Sequence, residues 1–316
     1  MASSRVASKF RTRFDYRGYE VAKWFPGHMA KGLNRMRRQL KGVDCVLEVH
    51  DARIPTSGRT PRFQETLSVR PHLLVLNKID LADLSKKNDI EEKLRRQNVE
   101  HLTFSSCCSF KDQDVKHIMP KVMDILAASP GFYKEEDEDI TLMVIGIPNV
   151  GKSSLINAFR RMYLKKGKAT PVGKDPGITR SVLTRIRVSD RPSVFLLDTP
   201  GVLSPNIPDV ETGFKLALVG AIKDHLVGED FLADYLLYRL NREKNFRYVE
   251  HYKMQEPCDH VLKMLGHVAV QMGKTRKIRM DSGTGAVMVH QPNFQLAALQ
   301  FLRDFRQGTL GPAMLD

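Results

Sequence analysis

The stretch "ITLMVIGIPNVGKSSLINAFRRMY" at 140–163 constrains this chain more than any other. A short apolar run reads as a buried strand, "SSLINAFRRMY" reads as a helix, and Gly146-x4-Gly151-Lys152-Ser153 joins them. That context is the one a phosphate-binding loop requires. Glycines let backbone N–H groups wrap phosphate oxygens at a helix N-terminus, so Asn149, Val150, Gly151 and Ser154 are candidate contacts. Lys152 is placed to neutralise the β and γ oxygens, and the Ser153 hydroxyl to ligate Mg²⁺. The loop alone does not separate ATP from GTP.

"DTPG" at 198–201 follows the apolar strand "SVFLL" and supplies a second phosphate-side element. Asp198 is the candidate for the Mg²⁺ shell and the Gly201 N–H for the γ-phosphate. In "DPGITR" at 175–180, Thr179 is read as the switch threonine that ligates Mg²⁺, with Thr184 as its competitor. Base selection rests on "NKID" at 77–80, after another apolar run. The Asp80 carboxylate can accept both N1–H and the 2-amino group of guanine, a pair adenine does not offer. Asn77 braces the loop and the Lys78 stem covers the base. "FSSCC" at 104–108 offers Ser105 and Ser106 near guanine O6. Each motif is short; together they point to GTP and GDP.

Elsewhere the pattern alternates. Strands are expected at 43–49, 72–76, 99–104, 182–189 and 193–197, and helices at 86–97 and 113–128, which predicts an α/β domain built on a parallel sheet. A basic helix is expected from Met29 to Lys41, where Met29, Leu33, Met36 and Leu40 share a face. Beyond residue 211 the apolar spacing is helical. We therefore expect a basic N-terminal segment at 1–23, a nucleotide domain at 24–210 and an all-α domain at 211–316.

Charge is uneven. Residues 1–42 hold eleven basic side chains against two acidic ones, within a chain of net charge +14, a field that favours a polyanion such as RNA or an anionic membrane face. Residues 1–14 carry four basic residues, three serines and no acid, the composition of a mitochondrial transit peptide or of a flexible RNA-binding arm. "GKTRKIR" at 273–279 is a second cationic cluster, equally readable as a solvated helix end. The four cysteines show no ligand spacing, so neither a structural zinc nor a disulfide framework is expected. No run reaches the roughly eighteen apolar residues of a membrane-spanning helix.

"WFPGHMAK" (24–31), "DARIP" (51–55), "NKID", "GIPNVGKSS", "PGIT" and "DTPGVL" stand in an order in which base recognition precedes the phosphate loop. From Trp24 onward this resembles the circularly permuted GTPases of ribosome assembly, the ribosome biogenesis GTPase A family. The resemblance implies GTP hydrolysis coupled to maturation of the large ribosomal subunit. With the transit-like N-terminus, it implies a mitochondrial, matrix-side member that binds rRNA and ribosomal proteins, with peripheral association with the inner membrane. It also implies that His28 activates water, since Val202 stands where Ras-like enzymes place a glutamine, and that Asn149 accompanies K⁺. A non-hydrolysing RNA-binding scaffold and a membrane-associated trafficking GTPase are the competing readings.

Overall fold

The computed structural model describes residues 10–18, 38–59, 70–106, 113–130, 138–165, 184–199, 201, 207–281 and 286–316. The chain divides into two compact units, one of Glu20–Lys223 with Met314–Asp316, the other of Met1–Tyr19 with Asp224–Ala313.

The first unit is built on strands β1 (Cys45–Asp51), β2 (His72–Asn77), β3 (Leu102–Ser105), β4 (Ile140–Ile145), β5 (Thr184–Asp190) and β6 (Ser193–Asp198), in the order β3-β2-β1-β4-β6-β5. The first four and β6 are parallel; β5 alone runs antiparallel, beside β6. β1 is buried along its whole length, as a central parallel strand covered on both faces must be. Helix α1 (Lys87–Arg96) turns Ile90 and Leu94 inward, and these join Leu74, Leu76, Val99 and Met314 in one apolar cluster. Each such side chain contributes roughly 1.5–3 kcal/mol when fully buried. Helices α2 (Ile118–Ala128) and α3 (Lys152–Leu164) follow β3 and β4, and α4 (Val210–Leu218) begins under an Asp209 cap. Of the expected basic helix, residues 29–37 lie outside the described residues; its end is a short turn at Leu40–Gly42.

Register matters most for the site. Asp51 pairs with Asn77, Asn77 with Ser105, and Val144 with Asp198. The carboxyl ends of five parallel strands therefore meet along one edge, where α/β sheets bind ligands.

The second unit packs α5 (Glu229–Arg242), α6 (Val261–Gln271) and α7 (Phe294–Arg306) around Leu232, Leu236, Met264, Leu265, Phe301 and Phe305. It is not all-α. Strands β7 (Thr275–Asp281) and β8 (Ala286–Pro292) form an antiparallel hairpin, so "GKTRKIR" opens a strand rather than closing a helix. Ile278 and Met280 alternate with Lys277, Arg279 and Asp281 along β7 and pair with Val289 and Val287 of β8, with "SGTG" between the strands, a hairpin pattern masked by its charge. Residues 10–18 belong to this unit: Arg11 pairs with Asp234 at 2.7 Å and Asp259 at 3.1 Å, and the Phe14 ring meets Tyr235 edge-on at 5.2 Å. No described helix is long and apolar enough to cross a membrane.

Candidate functional site

The loop between β4 and α3 is shaped by glycine. At Gly146, φ is +150° and a Cβ would stand 2.1 Å from the Val49 carbonyl oxygen; at Gly151, φ is +96° and a Cβ would stand 2.3 Å from Asn77 Nδ2. Neither position tolerates a side chain. Asn149 between them is also left-handed at φ 62°, a conformation asparagine accepts more readily than most. Lys152, buried on the first turn of α3, donates to the Gly146 and Ile147 carbonyls at 3.1 and 2.9 Å. It thus closes over its own loop, with Ser153 and Ser154 beside it and partly buried.

The "NKID" residues lie against this loop. Asn77, fully buried, donates from Nδ2 to the Val150 carbonyl at 2.7 Å. Lys78 adopts φ 63° and donates from Nζ to the Asn149 carbonyl, while lying 3.1 Å from Asp51 Oδ2. Asp80 is exposed, and Ser106 Oγ donates to its Oδ1 at 2.6 Å. Ser106 thus orients the carboxylate with its side chain. Ser105, fully buried, fixes the end of β3 beside Asn77.

On the other side of the loop, Asp198 ends β6 and Thr199 Oγ1 donates to the Val144 carbonyl at 2.7 Å. Gly201 packs on Pro148 so closely that a Cβ would stand 2.8 Å from its Cα and 2.9 Å from its nitrogen. Both Asp198 carboxylate oxygens are buried without a hydrogen-bond partner among the described residues. Burial raises its pKa and the charge of Lys152 opposes that shift; burial likewise lowers Lys152, with Asp198 opposing. A buried carboxylate with two open oxygens is costly alone, and it fits a divalent cation. His28 and Thr179 lie outside the described residues.

Residues 141–272 match the family model described as a 50S ribosome-binding GTPase. Over 312 residues the chain is 55% identical to mitochondrial ribosome-associated GTPase 1 of Xenopus tropicalis, covering 99% of this chain and all (100%) of that protein. It is 56% identical over 311 residues to the Ictalurus punctatus protein of the same name, covering 98% and 97%.

The chain belongs to the mitochondrial ribosome-associated GTPase 1 family. It is a GTPase. The GNP-bound structure of YlqF from T. maritima superposes with a TM-score of 0.56 at 20% identity, covering 90% of this chain and 97% of that one, a likeness of fold.

In this member of the mitochondrial ribosome-associated GTPase 1 family, sequence reasoning missed the groups that hold "NKID" in place. Asp51 is buried, receives Arg53 Nε at 2.9 Å and Nη2 at 2.8 Å, and faces Lys78. Burial opposes its ionisation, but Arg53 and Lys78 outweigh that and keep its pKa well below the usual carboxylate range. Glu48 accepts Arg59 Nε at 3.1 Å and lies 2.9 Å from His50 Nε2, all three deep in the unit. The available signal was "EVHDARIP", a buried strand ending in alternating charge, which core packing alone does not call for. Asn149 differs from expectation in one respect: its Nδ2 donates to the Gly220 carbonyl at 2.7 Å, after α4.

Proposed function

We propose that this GTPase acts on the large subunit of the mitochondrial ribosome and that the ribosomal particle accelerates its hydrolysis. One observation carries the nucleotide reading: Asn77 and Lys78 both donate into the carbonyls of the phosphate loop more than seventy residues later. Base recognition and phosphate binding then form one site, and the order "NKID" before "GKS" is a circular permutation of a GTPase sheet. The names of the relatives support the mitochondrial ribosome as the place of action.

In this reading Asp80, steadied by Ser106, accepts guanine N1–H and the 2-amino protons. Asn77 and Ser105 fix the floor of the pocket and Lys78 covers the base. The N–H groups from Asn149 to Ser154 surround the phosphates, and Lys152 exchanges its loop carbonyls for phosphate oxygens. Such preorganised donors do most of the work in phosphoryl transfer. Ser153, Thr179 and Asp198 would hold Mg²⁺, which when bound neutralises charge developing on the β and γ oxygens. Gly201 donates its N–H toward the γ-phosphate. His28 orients the attacking water, because Val202 has no group to do so, and Asn149 would accompany K⁺ through its oxygen while its nitrogen remains on Gly220.

The N-terminal segment directs the chain to the matrix, with peripheral contact to the inner membrane. The second unit and the basic N-terminal segment are the parts that would meet rRNA phosphates. The test is a GTP hydrolysis assay with purified large subunits in K⁺ buffer, comparing wild type with His28→Ala. Stimulation of the wild type and its loss in the variant, with GTP affinity retained, is the expected result. No stimulation of the wild type would sink the ribosomal reading.

A further inference from the structure

The last residues return to the nucleotide-type unit after ninety residues, Asp224–Ala313, in the other. Met314 fills the apolar cluster of α1 and β2, and the Leu315 N–H donates to the Arg53 carbonyl at 2.9 Å. The Asp316 side chain is almost fully buried and accepts from the Thr56 N–H at 2.7 Å, Thr56 Oγ1 at 2.8 Å, the Ser57 N–H at 2.9 Å and Ser57 Oγ. Lys215 of α4 stands 3.4 Å away. A carboxylate held by four donors and a cation fixes the loop it grips.

That loop is part of the site's frame. Arg53 is the residue that clamps Asp51, and Asp51 faces Lys78. Gly58 lies where a Cβ would come within 3.3 Å of Ile147 in the phosphate loop and 2.7 Å of His50 Nδ1. From Asp316 the contacts therefore run through residues 53–58 to "NKID" on one side and to the phosphate loop on the other.

We propose that Asp316 is a positioning residue of the nucleotide site, seating the loop after β1 so that Lys78 and the phosphate loop are held in their binding arrangement. The proposal rests on the reading that this site binds guanine nucleotide. Displacement of Met314–Asp316 then loosens the base-recognition side.

The test uses the full chain and a fluorescent methylanthraniloyl-GDP probe, with Asp316→Asn as the variant that keeps shape and Ser57→Ala as a milder second. Release of the probe and its preference over the inosine analogue are measured where circular dichroism finds each protein folded. A merely structural residue would change the melting temperature and leave the preference alone. We expect Asp316→Asn to release the probe about tenfold faster and to lose part of the guanine preference, Ser57→Ala to shift both in the same direction by less, and the double variant to add little. Unchanged release or unchanged preference in both variants overturns the proposal and leaves the site reading standing. A wild type that takes up no guanine nucleotide overturns both.

Discussion

Asn77 Nδ2 donates to the Val150 carbonyl at 2.7 Å, joining the "NKID" stretch to the glycine loop inside the protein. Replacing Asn77 by alanine leaves that buried carbonyl unanswered, a loss of about 1–3 kcal/mol. Because the same bond orders the phosphate loop, urea denaturation of the nucleotide-free protein and GDP affinity should both weaken. A variant that lost affinity at full stability would assign Asn77 to base contact alone.

Gly151 and Gly201 test the backbone of the site. Gly151→Ala forces a Cβ toward Asn77 Nδ2 at 2.3 Å and keeps φ at +96°, so binding of every guanine nucleotide should fall by at least about tenfold. Gly201→Ala pushes on Pro148 backbone atoms at 2.8 and 2.9 Å. Since Gly201 faces the γ-phosphate in our reading, that variant should lose GTP affinity while keeping GDP affinity. Titration calorimetry with both nucleotides distinguishes the two patterns.

Acid stability should depend on Glu48. Burial raises its pKa, yet His50 and Arg59 outweigh that and hold it at about 2, below the ordinary value of 4.5. A folded pKa below the unfolded one contributes stability above pH 4.5 that is lost as the pH falls toward 2, on the order of 3 kcal/mol in full. Glu48→Gln should be less stable at neutral pH and show a flatter decline in urea midpoint on acidification. An unchanged slope would mean that another carboxylate carries the acid transition.

The N-terminal stretch is also testable. Arg11 and Phe14 tie residues 10–18 to α5 through Asp234, Asp259 and Tyr235. Phe14→Ala should cost up to about 3 kcal/mol, the lower end for losing a buried ring, and truncation before Tyr19 should lower the melting temperature further. A truncated chain that melts like the full one would show these contacts to be dispensable.

What the sequence made legible follows from how local each signal is. β1, β2, β4 and β6 are short apolar runs bounded by turn or charged residues, and the glycine loop carries its conformational demand in its own residues, so the sheet and the shape of that loop could be read directly. The hairpin of β7 and β8 escaped notice because β7 reads as a charged run, "TRKIRMD", and β8 offers only the four apolar residues "AVMV" amid helical spacing on either side. Arg11 reads as a targeting residue until Asp234 and Asp259, more than two hundred positions away, give it partners. Asp316 has no local signal at all; its meaning comes from Thr56 and Ser57. Asp51 and Arg53 stood in a recognised stretch, but their role depends on Lys78 arriving from the next strand.

Guanine recognition in our reading turns on Asp80, whose carboxylate Ser106 holds at 2.6 Å. Asp80→Asn exchanges an acceptor pair for one donor and one acceptor, which suits the 2-oxo group of xanthine instead of the 2-amino group of guanine. Competition binding of GTP and xanthosine triphosphate to wild type and Asp80→Asn is therefore the most direct measurement. We predict that the variant loses GTP affinity by at least about 100-fold and gains affinity for the xanthine nucleotide. Equal GTP binding by the two proteins would contradict the account.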